Sequence, residues 1–268
     1  MSLSINSPNS GTQQRFLQLL AMLQERRNQQ MSSGKRIAQA ADDSAGLAIA
    51  KRLEAVVRGS EQGQRNVADG QSLVRTADGA LQSSHDAIGR MRELSIQAQN
   101  GTLGATDREL IQAEYDQLSA QLNQTATSSN FAGKPLLDGS LSGAGAAVIH
   151  DGAGGDTRIE LGDASATALG VEGLDVANPD TLTALDNAQS LLSSERARLG
   201  ALDNSMTSQQ AQLATSRVNA EEARSRIEDL DIAKAVAEST RNRILQGLTI
   251  QGLRLSDMSR SKIFNLLS

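Results

Sequence analysis

A 3-4 apolar repeat runs unbroken from about residue 181 to residue 230, and few architectures accommodate one of that length. Every seventh residue from Leu185 reads Leu192, Leu199, Met206, Leu213, Ala220 and Ile227. Interleaved with it run Ala188, Glu195, Leu202, Gln209, Ser216, Ala223 and Leu230. A period of 3.5 residues kept that long dictates a long helix with one continuous seam against a partner. Leu185, Leu192, Leu199, Met206, Leu213 and Ile227 are its expected core. Glu, Gln and Ser in the second ladder leave the seam only partly dry. Thr181, just after Asn178-Pro179-Asp180, is the expected start.

A matching rod runs from about Ser44 to Asn100. One ladder reads Leu53, Ser60, Val67, Val74, Leu81, Ile88 and Ser95; a second reads Ile49, Val56, Gly63, Gly70, Ala77, Ser84, Met91 and Ala98. At the helical rise, some 55 residues make a rod of about 80 Å. Glycines 59, 63, 70, 79 and 89 lie within it, each costing up to about 1 kcal/mol relative to Ala. That cost points to close approach of a neighbouring helix, with the remainder as tolerated surface positions. Asn100-Gly-Thr-Leu-Gly104 closes the rod. A third helix follows from about Thr106 to Thr127, with Thr106 and Glu109 at capping-box spacing and Ile111, Tyr115, Leu118 and Leu122 as its stripe.

From Ser128 to about Pro179 the helical period vanishes. Nine of the 23 glycines fall between 139 and 173, so the segment is built of turns. Within it, Ala146–His150 and Thr157–Leu161 flank a glycine-rich loop and read as a short β-hairpin. The two ends differ again. Phe16, Leu19, Leu20 and Leu23 at one end, and Ile244, Leu248, Leu255, Met258, Ile263, Leu266 and Leu267 at the other, form apolar stripes too sparse to fold alone. These segments are expected to be disordered in the single chain and helical once partners cover them.

The expected fold class is therefore mainly α. Long antiparallel helices form a coiled-coil-like bundle with a small β-hairpin region, and terminal helices become ordered on assembly. The segments are 1–43 (N-terminal amphipathic helix and linker), 44–130 and 181–230 (the long helices), 131–180 (hairpin and turns) and 231–268 (C-terminal amphipathic helix).

Composition narrows function. With no Trp, one Tyr and three Phe, aromatic burial does not hold the chain together. The absence of cysteine excludes disulfides, thiolate metal sites and a Cys nucleophile. A formal charge of −5, evenly spread, gives no nucleic-acid footprint. No apolar run approaches the roughly 18 residues that span a bilayer, so no membrane insertion is expected. No metalloprotease, P-loop or dinucleotide motif occurs. His85 and His150 are distant from one another, and Asp42-Asp43 reads as a capping loop for the helix at Ser44. No cofactor and no catalytic site are expected.

Several motifs carry a family likeness: Ser32-Ser-Gly-Lys-Arg-Ile37, Asp42-Asp-Ser-Ala-Gly-Leu-Ala-Ile-Ala50, Asn66–Val74, Ala77–Leu81, Arg90–Gln97, Asn130–Leu137, Ala166–Val176 and Ser225-Arg-Ile-Glu-Asp-Leu-Asp-Ile-Ala233. In this order they resemble bacterial flagellin over nearly the whole chain. The resemblance implies a non-enzymatic subunit that self-polymerises into the flagellar filament for motility. It implies export, unfolded, by the flagellar type III apparatus with an export chaperone, and an extracellular location. It further implies contacts with the filament cap and hook-associated proteins, and an inner tube of terminal helices surrounded by the helical layer. With only about 50 residues between the helical regions, the outer variable domains of many flagellins are expected to be missing. A surface read by the host's flagellin-sensing Toll-like receptor would fall on Arg90, Leu94 and Glu114. The alternatives are a hook-filament junction protein, which shares the terminal architecture, and a coiled-coil adaptor that does not polymerise.

Overall fold

The computed structural model describes residues 8–152 and 154–267. Five helices dominate: α1 (Pro8–Ser33), α2 (Ser44–Ala98), α3 (Ala105–Ser128), α4 (Pro179–Glu228) and α5 (Ile232–Leu267). Two antiparallel strand pairs lie between α3 and α4: β1 (Asn130–Phe131) with β2 (Lys134–Pro135), and β3 (Ala147–His150) with β4 (Asp156–Ile159). The chain divides into two compact units, Val56–Val218 and Met1–Ala55 with Asn219–Ser268. Both divisions fall inside α2 and α4 rather than at helix ends.

In the middle unit, α2 and α4 run antiparallel. Ion pairs and hydrogen bonds step along one helix as they step back along the other: Gln71 Nε2 to Thr207 Oγ1 at 3.0 Å, Arg75 Nε to Asp203 Oδ1 at 3.4 Å, Arg196 Nε to Asp78 Oδ1 at 2.9 Å and Arg92 Nε to Asp186 Oδ1 at 2.6 Å. Leu185, Leu192, Leu199, Met206 and Leu213 are all buried, whereas Glu195, Leu202, Gln209 and Ser216 of the second ladder are half-buried. Ile227, at the far end of the seam, is half-buried. On α2 the ladder through Ile49 and Val56 fails at its first two rungs, which are exposed, while Ala50 and Val57 turn inward. An α-helix drifts by about 20° per heptad against a strict 3.5 repeat, and over 55 residues the drift moves the buried stripe sideways.

Helix starts follow local chemistry. Asn178 Oδ1 accepts the Asp180 N–H at 2.9 Å, and Pro179 occupies the first helical turn of α4, two residues before the expected Thr181. The expected Thr106–Glu109 box is replaced two residues earlier: Asp107 Oδ2 accepts the Gly104 N–H at 3.1 Å and α3 begins at Ala105. Asp43 Oδ1 accepts the Gly46 N–H at 2.8 Å and caps α2.

The turn-rich segment does more than decorate. Leu136, Leu137, Leu141, Ile159, Leu161, Ala166 and Val171 from it are buried in the same core as α2, α3 and α4. Tyr115, the one tyrosine, is fully enclosed and donates its hydroxyl to the Val171 carbonyl at 2.9 Å. Burial, with a smaller contribution from the Asp116 charge, pushes its pKa up to about 12. A further hairpin, β1–β2, escaped the periodicity reading because its strands are two residues each. Its turn places both Ala132 (φ 52°) and Gly133 (φ 81°) in the left-handed region, as a type I′ turn requires.

The α2 glycines answer to this segment rather than to a helix alone. A Cβ at Gly63 would stand 1.7 Å from the Asp151 carbonyl oxygen, and one at Gly59 3.1 Å from that of Gly152. At Gly70 a Cβ would meet Ile149 Cγ1 at 3.0 Å and Met206 Cε at 3.1 Å. The neighbour they admit is the β3–β4 hairpin and its loop, fastened where Asn66 Nδ2 donates to the His150 carbonyl at 2.8 Å. Gly79 and Gly89 face open space. The two kinds of site predict opposite signs. Gly63→Ala is expected to destabilise the chain by about 1–3 kcal/mol because backbone must move. Gly79→Ala is expected to stabilise it by up to about 1 kcal/mol through helix propensity. Denaturant titrations of both variants measure the two signs.

Candidate assembly surface

The terminal unit is built on different principles. Helix α1 lies against α5, and apart from Leu20 the matching faces are small or polar. Leu20 and Ala235 are buried, Ser239 is buried and accepts from Gln24 Nε2 at 2.7 Å, and Arg27 forms an ion pair with Glu238. In this structure both ends are helical and each supplies the other with a partner. Leu20 also parts from its neighbours. At 100° per residue it shares a face with Leu17 and Gln24, turned towards α5, and it is not available to another subunit.

What α1 and α5 leave outside is apolar. Phe16, Leu19 and Leu23 are 43%, 52% and 40% exposed, with Met22 beside them. On α5, Ile244, Leu248, Leu255 and Met258 are each more than half exposed, at spacings that follow a 4-3-4-3 stripe through Gln251. Ile263, Leu266 and Leu267 lie outside the residues whose side chains are described. Among the described residues, the apolar side chains this unit buries are Leu20, Ile37, Ala50, Ala220 and Ala235. The unit has helices but almost no core.

Two motifs about 190 residues apart meet here. After Gly34 (φ 68°) ends α1, Lys35 pairs antiparallel with Asp229 in the break between α4 and α5. The Arg36 N–H donates to the Glu228 carbonyl at 2.6 Å and the Leu230 N–H to the Gly34 carbonyl at 3.0 Å. Glu228, a buried carboxylate, receives Lys35 Nζ at 2.5 Å. Asp231 Oδ1 then accepts the Lys234 N–H at 3.0 Å and caps α5. Nothing in either stretch alone signals this pairing.

Asp42 ties the same loop to α1. Its Oδ2 accepts the Ala38 and Gln39 N–H groups at 3.0 and 3.1 Å, and Arg26 Nη2 reaches its Oδ1 at 2.7 Å. The Gln39 N–H foremost, then the Ala38 N–H and Arg26, hold its pKa below the ordinary 3.8 against the opposing effect of burial. A carboxyl depressed in the folded chain contributes stability that is full above its unfolded pKa and lost as pH falls through its folded one. Asp42→Ala is accordingly expected to be less stable than the parent chain at neutral pH. The difference should close as pH drops below 3.8, a trend that thermal melts at a series of pH values will follow.

The three positions assigned to receptor recognition separate. Arg90 and Glu114 are exposed and joined across α2 and α3, with Arg90 Nη2 at 2.8 Å from Glu114 Oε1 and Nη1 at 3.0 Å from Glu93 Oε2. The Glu114 hydrogen bond, then that of Glu93, raises the Arg90 pKa. Leu94 is only 1% exposed and sits in the core of the middle unit, so its side chain is not part of any surface. The resemblance puts Leu94 in the recognition surface, whereas its spacing with Leu73, Ala80 and Ala87 puts it on the widened buried face of α2, where it lies.

Chemistry elsewhere is sparse. His85 Nε2 lies 3.3 Å from Gln189 Nε2, and His150 Nδ1 lies 2.5 Å from Asp156 Oδ1 at the exposed end of the hairpin. Among the described residues no group of three His, Asp or Glu side chains is placed to hold a metal ion, and no helix is long and apolar enough to cross a membrane.

Comparison with known proteins identifies this architecture. The family model "Bacterial flagellin N-terminal helical region" matches residues 4–142, and "Bacterial flagellin C-terminal helical region" matches residues 182–267. The chain belongs to the bacterial flagellin family. It is similar to the flagellar filament 30.7 kDa core protein of Treponema maltophilum, at 32% identity over 258 residues covering 90% of each chain. It is also similar to the flagellin of Bacillus subtilis (strain 168), at 34% identity over 276 residues, 89% of this chain and 91% of that one. In fold it is like the structure of a candidate flagellar hook-associated protein from Vibrio parahaemolyticus, with a TM-score of 0.59 at 13% identity over 69% of this chain and 99% of the other. Flagellins are structural proteins of the flagellar filament, and this chain is a filament subunit of the extracellular flagellum.

Proposed function

We propose that this flagellin polymerises through the outward faces of α1 and α5. The observation that carries the reading is the imbalance in the terminal unit. Seven large apolar side chains, Phe16, Leu19, Leu23, Ile244, Leu248, Leu255 and Met258, are exposed, while the α1–α5 contact buries Leu20 and otherwise uses small and polar groups. A helix pair that has satisfied its polar face internally gains further only by covering its apolar face, at about 25 cal/mol per Å². In a filament other copies supply that cover. Residues 1–43 and 231–268 act as the polymerisation segments, and residues 44–130, 131–180 and 181–230 form the surrounding layer. In a dilute subunit the α1–α5 pair is held by little apolar burial, so it opens readily and becomes firmly ordered on assembly.

Negative-stain microscopy of the concentrated chain, joined to amide exchange on dilute subunit and on filament, tests this. Fibres of uniform width are expected, with exchange in 10–33 and 232–260 fast in the subunit and slow in the filament. Slow exchange of those helices in the dilute subunit would refute the coupling of order to assembly.

Family membership also supports export by the flagellar type III apparatus with a chaperone, and end contacts with the filament cap and hook-associated proteins. Engagement of a host Toll-like receptor would draw on the exposed Arg90–Glu114 pair and not on Leu94.

A further inference from the structure

The turn that closes α2 contains the one Asn-Gly pair in the chain, Asn100-Gly101. Asn100 is exposed, and its Oδ1 accepts the Thr102 N–H at 3.1 Å. That hydrogen bond folds the side chain over the next peptide and draws electron density from Cγ. The Gly101 N–H makes no hydrogen bond to the described residues, and a Cβ at Gly101 would have open space around it, so the nitrogen is unscreened. Other asparagines are held differently: Asn66 donates to the His150 carbonyl, Asn123 accepts the Ala166 N–H, and Asn178 precedes proline.

We propose that Asn100 is a site of spontaneous deamidation, converting to aspartate and isoaspartate in the folded subunit. Solvent base takes the Gly101 amide proton, and the nitrogen attacks Asn100 Cγ. The N–Cγ bond forms, the Cγ–Nδ2 bond breaks, and the side-chain nitrogen leaves as ammonia, having gained a proton from solvent. The five-membered imide takes up one water at either carbonyl. One opening leaves an ordinary aspartate on the normal backbone; the other routes the backbone through Cβ as isoaspartate. No oxidant or cofactor is needed.

The position gives the change a consequence. A new carboxylate appears at the C-terminal end of α2, where aligned peptide dipoles already present negative charge. The isoaspartyl form also adds a methylene to a turn in which Leu103 rests on the core and donates its N–H to the Asn100 carbonyl at 3.2 Å. In a filament outside the cell the modified fraction grows with the age of each subunit.

The test incubates the full-length chain in mildly alkaline buffer and follows each asparagine peptide by mass spectrometry, with isoaspartate-specific methyltransferase labelling alongside. The one-mass-unit gain and the label are expected to concentrate at Asn100. Gly101→Ala, which has room for its methyl group, is expected to slow both by about an order of magnitude through hindrance at the attacking nitrogen. Gain at Asn100 no faster than at the helical Asn187 and Asn204, or an unchanged rate in Gly101→Ala, overturns the proposal.

Discussion

Flagellin carrying Leu19→Asp with Leu23→Asp on α1, or Leu248→Asp with Leu255→Asp on α5, is expected to stay helical and soluble and to form no filaments. In the single subunit these four side chains are largely open to water, so the substitutions remove little internal packing. Within a filament each would forfeit the roughly 1.5–3 kcal/mol that burying a Leu contributes. Each would add the cost of a carboxylate in an apolar contact, several kcal/mol more. A double substitution therefore weakens every subunit contact by at least about 5 kcal/mol, or several thousand-fold in critical concentration. Sedimentation over a concentration series reads that value directly, while circular dichroism checks that the helices persist. Filaments forming at the parent concentration would show that the apolar faces of α1 and α5 are not the contact. Leu20→Asp is the informative companion. Leu20 is buried against α5, so that variant should lose order in the terminal helices of the subunit itself.

The second large effect lies in the middle unit. Leu199 is fully enclosed between α4 and the core of α2. Leu199→Ala is expected to cost about 3 kcal/mol, lowering the melting temperature by roughly 10 °C for a unit of this size. Leu199→Asp puts a carboxylate into the enclosed seam, where the neighbouring Arg75 and Arg196 are already paired with Asp203 and Asp78, and should cost more, about 4–5 kcal/mol, enough to unfold much of the unit near physiological temperature. Leu191→Asp on the same helix is a control, since Leu191 is exposed and its loss should barely register. Equal melting temperatures for Leu199→Asp and Leu191→Asp would mean the seam is wrongly placed.

Much of this protein was legible in its residues because helices write their burial into spacing. The Leu185–Leu213 ladder, the stripe Ile111–Tyr115–Leu122 and the hairpin around Asp151–Asp156 all follow from periods that one stretch of chain displays by itself. The order of motifs from Ser32 to Ala233 carried the family, and with it the function. The candidate surface was only partly legible. Phe16, Leu19, Leu20 and Leu23 look alike in sequence, yet Leu20 turns to α5 while the other three face out. Leu94, which only the family resemblance puts on the recognition surface, is buried as its helical spacing implies.

Residue order, taken without any folded context, establishes which side chains share a helical face and, to within a few positions, where each helix starts and stops. Long-range packing alone chose the object that covers each face. It set the β3–β4 loop, not a second helix, against Gly59 and Gly63, paired Lys35 with Asp229 across the length of the chain, and buried Leu136, Leu161 and Val171 from a segment with no period. The reason is physical: a repeat reports the geometry of its own backbone, whereas the partner of a face is selected by packing among segments far apart in the chain, and no local spacing records that choice.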